Sequence, residues 1–151
     1  MRRSELADDI NQKRCNDRYV PNYPLADSLS ATDDIESALK DAQVVFIAIP
    51  SSGFRAVLNE AKPYLKMDQL IVSTTKGIEA VSFSLMSQIL EQECPDHRSG
   101  VISGPNLAKE IAKRELTATV IASTDENLRV TVQDLLQSSY FRVYASGDTF
   151  G

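Results

Sequence analysis

The chain has 151 residues, of which 42% are hydrophobic and 25% charged, a composition that suits one soluble globular domain. A net charge of −5 and an isoelectric point near 4.9 argue against a protein that wraps nucleic acid through a basic surface. The longest apolar run, residues 42–50, is too short to span a membrane. Any phosphate that the protein binds must therefore be held by local groups.

The cysteines and the N-terminus bear on the cellular compartment. Cys15 and Cys94 lie far apart and form no CxxC motif, so we expect two reduced thiols and no metal site. The first residues contain no apolar core of a signal peptide. We therefore expect a cytoplasmic protein.

The elements follow one another in a regular order along the chain. Ser4 suits the N-cap of a short amphipathic helix over 4–16, and two prolines predict an extended loop over 18–31. We expect further helices over 35–40, 54–64, 84–92, 107–113 and 126–138. We expect strands over 43–49, 69–74, 100–103, 117–122 and 142–144. This alternation predicts a doubly wound α/β fold with a parallel sheet.

Three turns that directly follow a predicted strand contain small or special residues. They are the segments 49–55, 73–77 and 103–108. In open α/β sheets, ligands bind beyond the carboxyl ends of the strands, which is where these turns lie. Each turn, considered alone, also has an interpretation in which it binds no ligand. Lys76 also suits a surface lysine, and Asn106 suits the N-cap of the next helix.

Several familiar catalytic motifs are absent from the sequence. It contains no GxGxxG, no Walker motif and no HExxH. His97 is the single histidine and lies in a polar loop, which argues against a histidine-based triad.

Five segments together resemble the bacterial glycerol-3-phosphate dehydrogenases in order and spacing. Residues 14–21 resemble their R-x-N-x-x-Y-L-P, 49–51 their V-P-S, 75–77 their T-K-G, 103–110 their S-G-P-x-x-A-x-E, and 141–144 their F-R-V-Y. The resemblance extends over essentially the whole chain.

The resemblance implies a function. That family reduces dihydroxyacetone phosphate to sn-glycerol 3-phosphate with NADH or NADPH, for phospholipid synthesis. It implies that the cofactor is bound by Arg2, Arg3, Tyr19, Pro50, Ser51, Lys76 and Ala108. It implies that the substrate is bound by Lys76, Gly104 and Asn106, although the family more often has Ser or Thr at the position of Asn106. The two arginines suit the 2′-phosphate of NADPH.

The resemblance also implies that residues 1–151 are a partial NAD(P)-binding domain. The family's first β-α-β unit, with its Gly-rich turn, is not in the sequence, and its helical domain with the general acid/base lysine is expected beyond Gly151. No catalytic residue is therefore expected within the chain. We expect the 151 residues to fold poorly and to be inactive alone. We expect activity in the complete enzyme, and a homodimer is compatible with the resemblance.

Two alternative functions remain open at this point. One is a catalytically silent module that binds nucleotide or phosphate without turnover. The other is a related β-hydroxyacid or nucleotide-sugar dehydrogenase, which the segments 103–105 and 141–144 disfavour.

Overall fold

The computed structural model describes residues 4–150 as an α/β fold. Its helices are α1 (Ser4–Lys13), α2 (Ile35–Leu39), α3 (Phe54–Ala61), α4 (Met86–Glu93), α5 (Ala108–Ala112) and α6 (Glu126–Leu136). Its strands are β1 (Cys15–Asn16), β2 (Val20–Pro24), β3 (Val44–Ile47), β4 (Leu70–Ser73), β5 (Ser99–Ser103), β6 (Thr117–Ala122) and β7 (Phe141–Ser146). Short 3₁₀ segments cover Ser51–Gly53 and Lys62–Tyr64.

Five strands form one sheet in the order β3-β4-β5-β6-β7. The pairs β3–β4, β4–β5 and β6–β7 are parallel, so the predicted doubly wound fold is confirmed. The sheet departs from the predicted parallel arrangement at one pair, since β6 runs antiparallel to β5 and places Val101 opposite Ala122. The connection between them, residues 104–116, holds only the five-residue α5, about 7.5 Å long.

A second, small sheet lies where the sequence predicted the end of a helix and an extended loop, because α1 ends at Lys13 and β1 takes the last two residues of the predicted helix 4–16. Strands β1 and β2 pair as an antiparallel hairpin with Cys15 opposite Pro24. Prolines are tolerated in this position because a two-stranded ribbon consists of edge strands only.

Strand β4 divides the core, and its four residues are all buried. Ile71 joins a cluster under α3 and α4 that includes Phe54, Leu58, Met86, Ile89 and Leu90. Leu70 and Val72 point to the other face and pack with Ile121, Leu128, Val132 and Val143. Because successive side chains of a strand point to opposite faces, this apolar strand is covered on both sides.

Within residues 4–150, no helix combines the length and the apolar character needed to cross a membrane. The same part of the chain contains no group of three histidine, cysteine or acidic side chains that could hold a metal ion. Cys15 and Cys94 are both free.

Candidate functional site

The carboxyl ends of β3, β4 and β5 lie at one edge of the sheet, because these three strands are mutually parallel. The first two turns are joined by Thr75, whose hydroxyl donates to the Ile47 carbonyl at 3.2 Å. The same hydroxyl accepts from the backbone N–H of Ile49 at 3.4 Å. The turns after β3 and β4 are thus connected through one side chain.

The turn after β3 leads through Pro50 and a single 3₁₀ turn into α3. Pro50 is exposed and Ser51 is half-buried. Phe54, the first residue of α3, is completely buried in the core beneath that helix. Phe54 therefore takes no part in a ligand site.

The turn after β4 carries Lys76 and Gly77. Gly77 has a φ of +106°, and a Cβ at this position would lie 3.2 Å from the Ser51 hydroxyl oxygen. Glycine is thus required by both the backbone conformation and the close approach to the first turn. Lys76 is exposed, and its ammonium has no hydrogen bond or ion pair with any residue in the described range. It is therefore available to an anion.

The turn after β5 is held against β6. Gly104 has a φ of +154°, and a Cβ there would lie 3.1 Å from the Ala118 carbonyl oxygen. Asn106 donates from Nδ2 to the Thr119 hydroxyl at 2.8 Å, and that hydroxyl donates to the Ser103 carbonyl at 3.0 Å. The Oδ1 atom of Asn106 is buried without a hydrogen-bond partner in the described part of the chain.

The alternative role of Asn106 as a helix cap is wrong. The N-cap of α5 is Leu107, and no side chain caps this helix. The amide of Asn106 instead turns toward β6, because the buried hydroxyl of Thr119 offers it an acceptor at hydrogen-bond distance.

Two clefts meet at Lys76. The first, which we call the apolar cleft, has a volume of about 610 Å³ and contains Lys76, Asn106 and Ala108. Its remaining lining is mainly apolar and includes Phe46, Ile102, Ile111, Leu136, Tyr140 and Phe141. The second, the tail cleft, has a volume of about 450 Å³ and is lined by Lys76, Gly77, Gly104 and, from the chain's last segment, Thr149 and Phe150.

The structure thus brings together four of the predicted site residues, Lys76, Gly104, Asn106 and Ala108. Pro50 and Ser51 line neither cleft, although Ser51 lies against Gly77. Tyr19 lies near the hairpin, is 60% exposed and has the Arg18 guanidinium 5.4 Å from its ring centroid. Arg2 and Arg3 lie outside the described residues.

Sequence reasoning missed two threonines that organise the site. Thr75 joins two turns and Thr119 holds Asn106. The adjacency of Thr75 to Lys76 was a usable signal, because a hydroxyl at a strand end can satisfy backbone groups of the neighbouring turn. No local signal points to Thr119, which lies inside a strand 13 residues beyond Asn106.

A further cleft of about 480 Å³ contains none of the predicted residues and borders the tail cleft, with which it shares Ser87, Thr149 and Phe150. Its other lining includes Cys94, His97 and Ser99, the first residue of β5. Burial raises the pKa of the Cys94 thiol above its ordinary value, which keeps it protonated and unreactive at neutral pH.

The sequence matches a known family. Residues 1–129 match the family model described as NAD-dependent glycerol-3-phosphate dehydrogenase N-terminus. Over all 151 residues, the chain is 48% identical to the glycerol-3-phosphate dehydrogenase (NAD(P)+) of Alcanivorax borkumensis. It is 50% identical to the protein of the same name from Pseudomonas aeruginosa (strain LESB58). All of this chain is covered in both matches, and it spans 44% of the length of each relative.

Solved structures agree with this match. The glycerol-3-phosphate dehydrogenase of Coxiella burnetii superimposes with a TM-score of 0.91 at 31% identity, covering 97% of this chain and 45% of the other. A ketopantoate reductase from Ralstonia eutropha, at 13% identity and a TM-score of 0.67, covers 97% of this chain and 47% of the other and shares the fold alone. The alternative of a β-hydroxyacid or nucleotide-sugar dehydrogenase is therefore wrong. The chain belongs to the NAD-dependent glycerol-3-phosphate dehydrogenase family and matches the N-terminal part of its members.

Proposed function

We propose that this chain supplies the cofactor and substrate contacts for NAD(P)H-dependent reduction of dihydroxyacetone phosphate to sn-glycerol 3-phosphate. The observation that carries the proposal is the position of Lys76. Its unpaired ammonium lies where the apolar cleft meets the tail cleft. A single cation in that position can contact a ligand in each cleft.

Lys76 is assigned an electrostatic role. An ammonium at the carboxyl end of a parallel strand attracts the substrate phosphate or stabilises negative charge that develops on the carbonyl oxygen. Dihydroxyacetone phosphate offers both groups. The chain's overall negative charge makes this local cation more important, because the surface as a whole does not attract anions.

The residues around the apolar cleft fit a nicotinamide cofactor. A flat ring suits the apolar lining formed by Phe46, Ile102 and Ile111, and the backbone of Ala108 lies in the same cleft. When bound, NAD(P)H supplies the hydride that reduces the ketone. In this proposal Pro50 and Ser51 contribute through the turn that supports Gly77, and Tyr19, Arg2 and Arg3 contact the adenosine side.

Asn106 and Gly104 are assigned to the substrate. The buried Oδ1 of Asn106 lacks a donor within residues 4–150, and a hydroxyl group of the substrate can supply one. Gly104 lets the backbone approach both β6 and a ligand, because no side chain stands in the tail cleft at this position.

The proton for the carbonyl oxygen is not assigned to Lys76. Reduction of a ketone requires a proton donor at that oxygen, and the resemblance assigns this role to a lysine beyond Gly151. Residues 1–151 are accordingly proposed to be a partial NAD(P)-binding domain of a larger, homodimeric enzyme. We further propose that this enzyme works in the cytoplasm for phospholipid synthesis, which agrees with the two free cysteines.

The test is an NAD(P)H-oxidation assay with dihydroxyacetone phosphate. Residues 1–151 replace the matching segment of the Pseudomonas relative, and this graft is compared with the 151-residue chain alone. The proposal expects turnover by the graft and none by the chain alone. If the graft binds NADPH without turnover, the catalytically silent module becomes the better account. Turnover by the chain alone would contradict the assignment of the proton donor.

A further inference from the structure

An ion-pair network lies directly behind the turn that carries Lys76. Arg55, in the first turn of α3, donates to both carboxylate oxygens of Glu79 at 2.8 and 2.9 Å. It also donates to the carboxylate of Glu93 and, at 2.8 Å, to the side-chain carbonyl of Gln92 at the end of α4. The guanidinium thus connects α3, α4 and the segment that follows Lys76.

Glu79 provides the side-chain attachment of the loop 78–85, whose last residue, Leu85, also donates from its backbone N–H to the Gln88 side chain of α4 at 2.8 Å. The loop 78–85 is closed on itself by a hydrogen bond from the Glu79 N–H to the Ser84 carbonyl at 2.9 Å. It buries little apolar surface, since Val81 is 91% and Phe83 73% exposed. Apart from Glu79, no side chain of this loop forms a hydrogen bond to α3 or α4 in the described structure. Ser82, the other donor to the Glu79 carboxylate, belongs to the same loop, so Arg55 is the contact that fixes the carboxylate relative to α3 and α4.

Glu79 is also a nearby competitor for Lys76. The two residues are three positions apart, and Gly77 between them permits backbone conformations closed to other residues. Hydrogen bonds from Arg55, and secondarily from Ser82, lower the pKa of Glu79 to about 2, so the carboxylate is ionised at neutral pH. Without Arg55, the ionised carboxylate keeps only the Ser82 hydroxyl of its own loop, and the exposed Lys76 ammonium three positions earlier is a cation with which it can pair.

We propose that Arg55 is a positioning residue that holds the Glu79 carboxylate away from Lys76 and so keeps the Lys76 ammonium available to an anionic substrate. This inference rests on the proposed function of Lys76. Arg55 itself lines neither the apolar cleft nor the tail cleft. Arg55 acts indirectly: it binds the Glu79 carboxylate, and the Lys76 ammonium therefore stays unpaired.

The inference predicts an unusual pattern of rescue. In Arg55→Gln, the released Glu79 carboxylate pairs with Lys76, and the KM for dihydroxyacetone phosphate rises about fivefold while kcat changes little, since an exposed ion pair is worth about that factor. In the double variant R55Q/E79Q the competitor is absent, and KM returns to the wild-type value. If Arg55 only stabilised the loop, KM would not recover in the double variant.

The kinetic arm uses the graft defined above. Arg98→Gln is the matched control, because Arg98 donates to the Asp68 carbonyl at 3.0 Å away from both clefts. Recovery of KM in R55Q/E79Q, with R98Q unchanged, supports the inference. A double variant that stays as impaired as R55Q overturns it and leaves Arg55 with a purely structural role.

A second arm does not depend on enzymatic activity. The graft is treated with limiting N-acetoxysuccinimide in the absence of substrate, and the acetylation rate of each lysine is measured by peptide mass spectrometry. Lys76 should react at least about twofold more slowly in R55Q and recover in R55Q/E79Q, with Lys113 as an internal reference, because an ion-paired ammonium is less available. An unchanged Lys76 rate in R55Q overturns the inference. A wild-type graft without turnover, combined with the expected acetylation pattern, instead rejects the proposed function alone.

Discussion

The turns after β4 and β5 differ from the turn after β6 in how far they satisfy their own polar groups. After β6, the Ser123 hydroxyl donates to the Ser99 carbonyl at 2.6 Å and accepts from the Asp125 N–H at 3.1 Å. Asp125 then caps α6 by accepting from the Leu128 N–H at 2.8 Å. After β4 and β5, the Lys76 ammonium and the Asn106 Oδ1 have no partner in the described residues. Turns that follow strands of one sheet thus satisfy their polar groups within the fold in one place and leave polar groups available to a ligand in the other.

The reversal of chain direction between β5 and β6 separates these two kinds of turn. Because β6 is antiparallel to β5, its carboxyl end lies beside the amino end of β5. The turn after β6 is therefore at the opposite edge of the sheet from Lys76 and Gly104. The turn after β6 lines the further cleft instead, through Thr124 and Asp125.

The largest expected effect concerns the unsatisfied turn after β4. Lys76→Ala in the graft should lower kcat/KM by about 3 kcal/mol of transition-state stabilisation, because a charged contact to the reacting groups is lost. Steady-state kinetics measure this, with Lys113→Ala as a control on an exposed lysine that pairs at 3.6 Å with Glu115. Equal kcat/KM values in the two variants would show that Lys76 has no special role.

The next largest effect is on the free energy of unfolding and concerns the turn after β5. Gly104→Ala should lower the free energy of unfolding by about 2 kcal/mol, since its positive φ and the nearby Ala118 carbonyl both disfavour a Cβ. Gly147→Ala is the matched control, because a Cβ at Gly147 would meet no atom within 4 Å. Urea unfolding of both variants measures the difference. Similar losses in the two variants would contradict the assigned strain.

A smaller effect is expected in the turn after β6, where Ser123 and Asp125 form hydrogen bonds within the fold. Asp125→Ala removes the cap of α6 and should cost about 1 kcal/mol of folding stability. Kinetic constants should not change, because this turn lies away from both clefts. Urea unfolding and steady-state kinetics on the same preparation test this separation. A change in KM without a change in stability would contradict the proposed difference between the turn after β6 and the turns after β4 and β5.

The smallest effect is on the pH dependence of stability. The pKa of Glu79 is lowered from 4.5 to about 2, so its stabilisation is present above pH 4.5 and is lost as the pH falls toward 2. Glu79→Gln should therefore reduce the loss of stability between about pH 5 and pH 3. Urea midpoints of wild type and variant across this range provide the measurement. Parallel curves would mean that Arg55 does not stabilise the ionised form.

Much of the fold could be predicted because its signals are local. The fully buried β4 follows from an apolar run bounded by polar residues, and Lys76 follows from a lysine placed before a glycine at a strand end. The direction of β6 could not be predicted, since its residue pattern is the same whichever way the strand runs. The hairpin was missed because residues 15–16 of β1 were included in the predicted helix 4–16, and because the prolines of β2 suggest a loop, although edge strands accept them.

The site's supporting contacts could not be predicted because they join residues distant in sequence. Asn106 and Thr119 are 13 residues apart, and Arg55 and Glu79 are 24 apart. Each of these side chains also has an ordinary surface role when considered alone. Only the packing of the turns against one another selects the partners.

The central claim is that ligands bind at the turns after β4 and β5 and not at the turn after β6. Hydrogen–deuterium exchange of the graft, with and without NADP+ and glycerol 3-phosphate, tests it most directly. Protection on ligand binding should appear in the segments 74–80 and 103–109, while 121–128 exchanges as in the free protein. Protection confined to 121–128, or absent from both predicted turns while ligand is bound, would contradict the account.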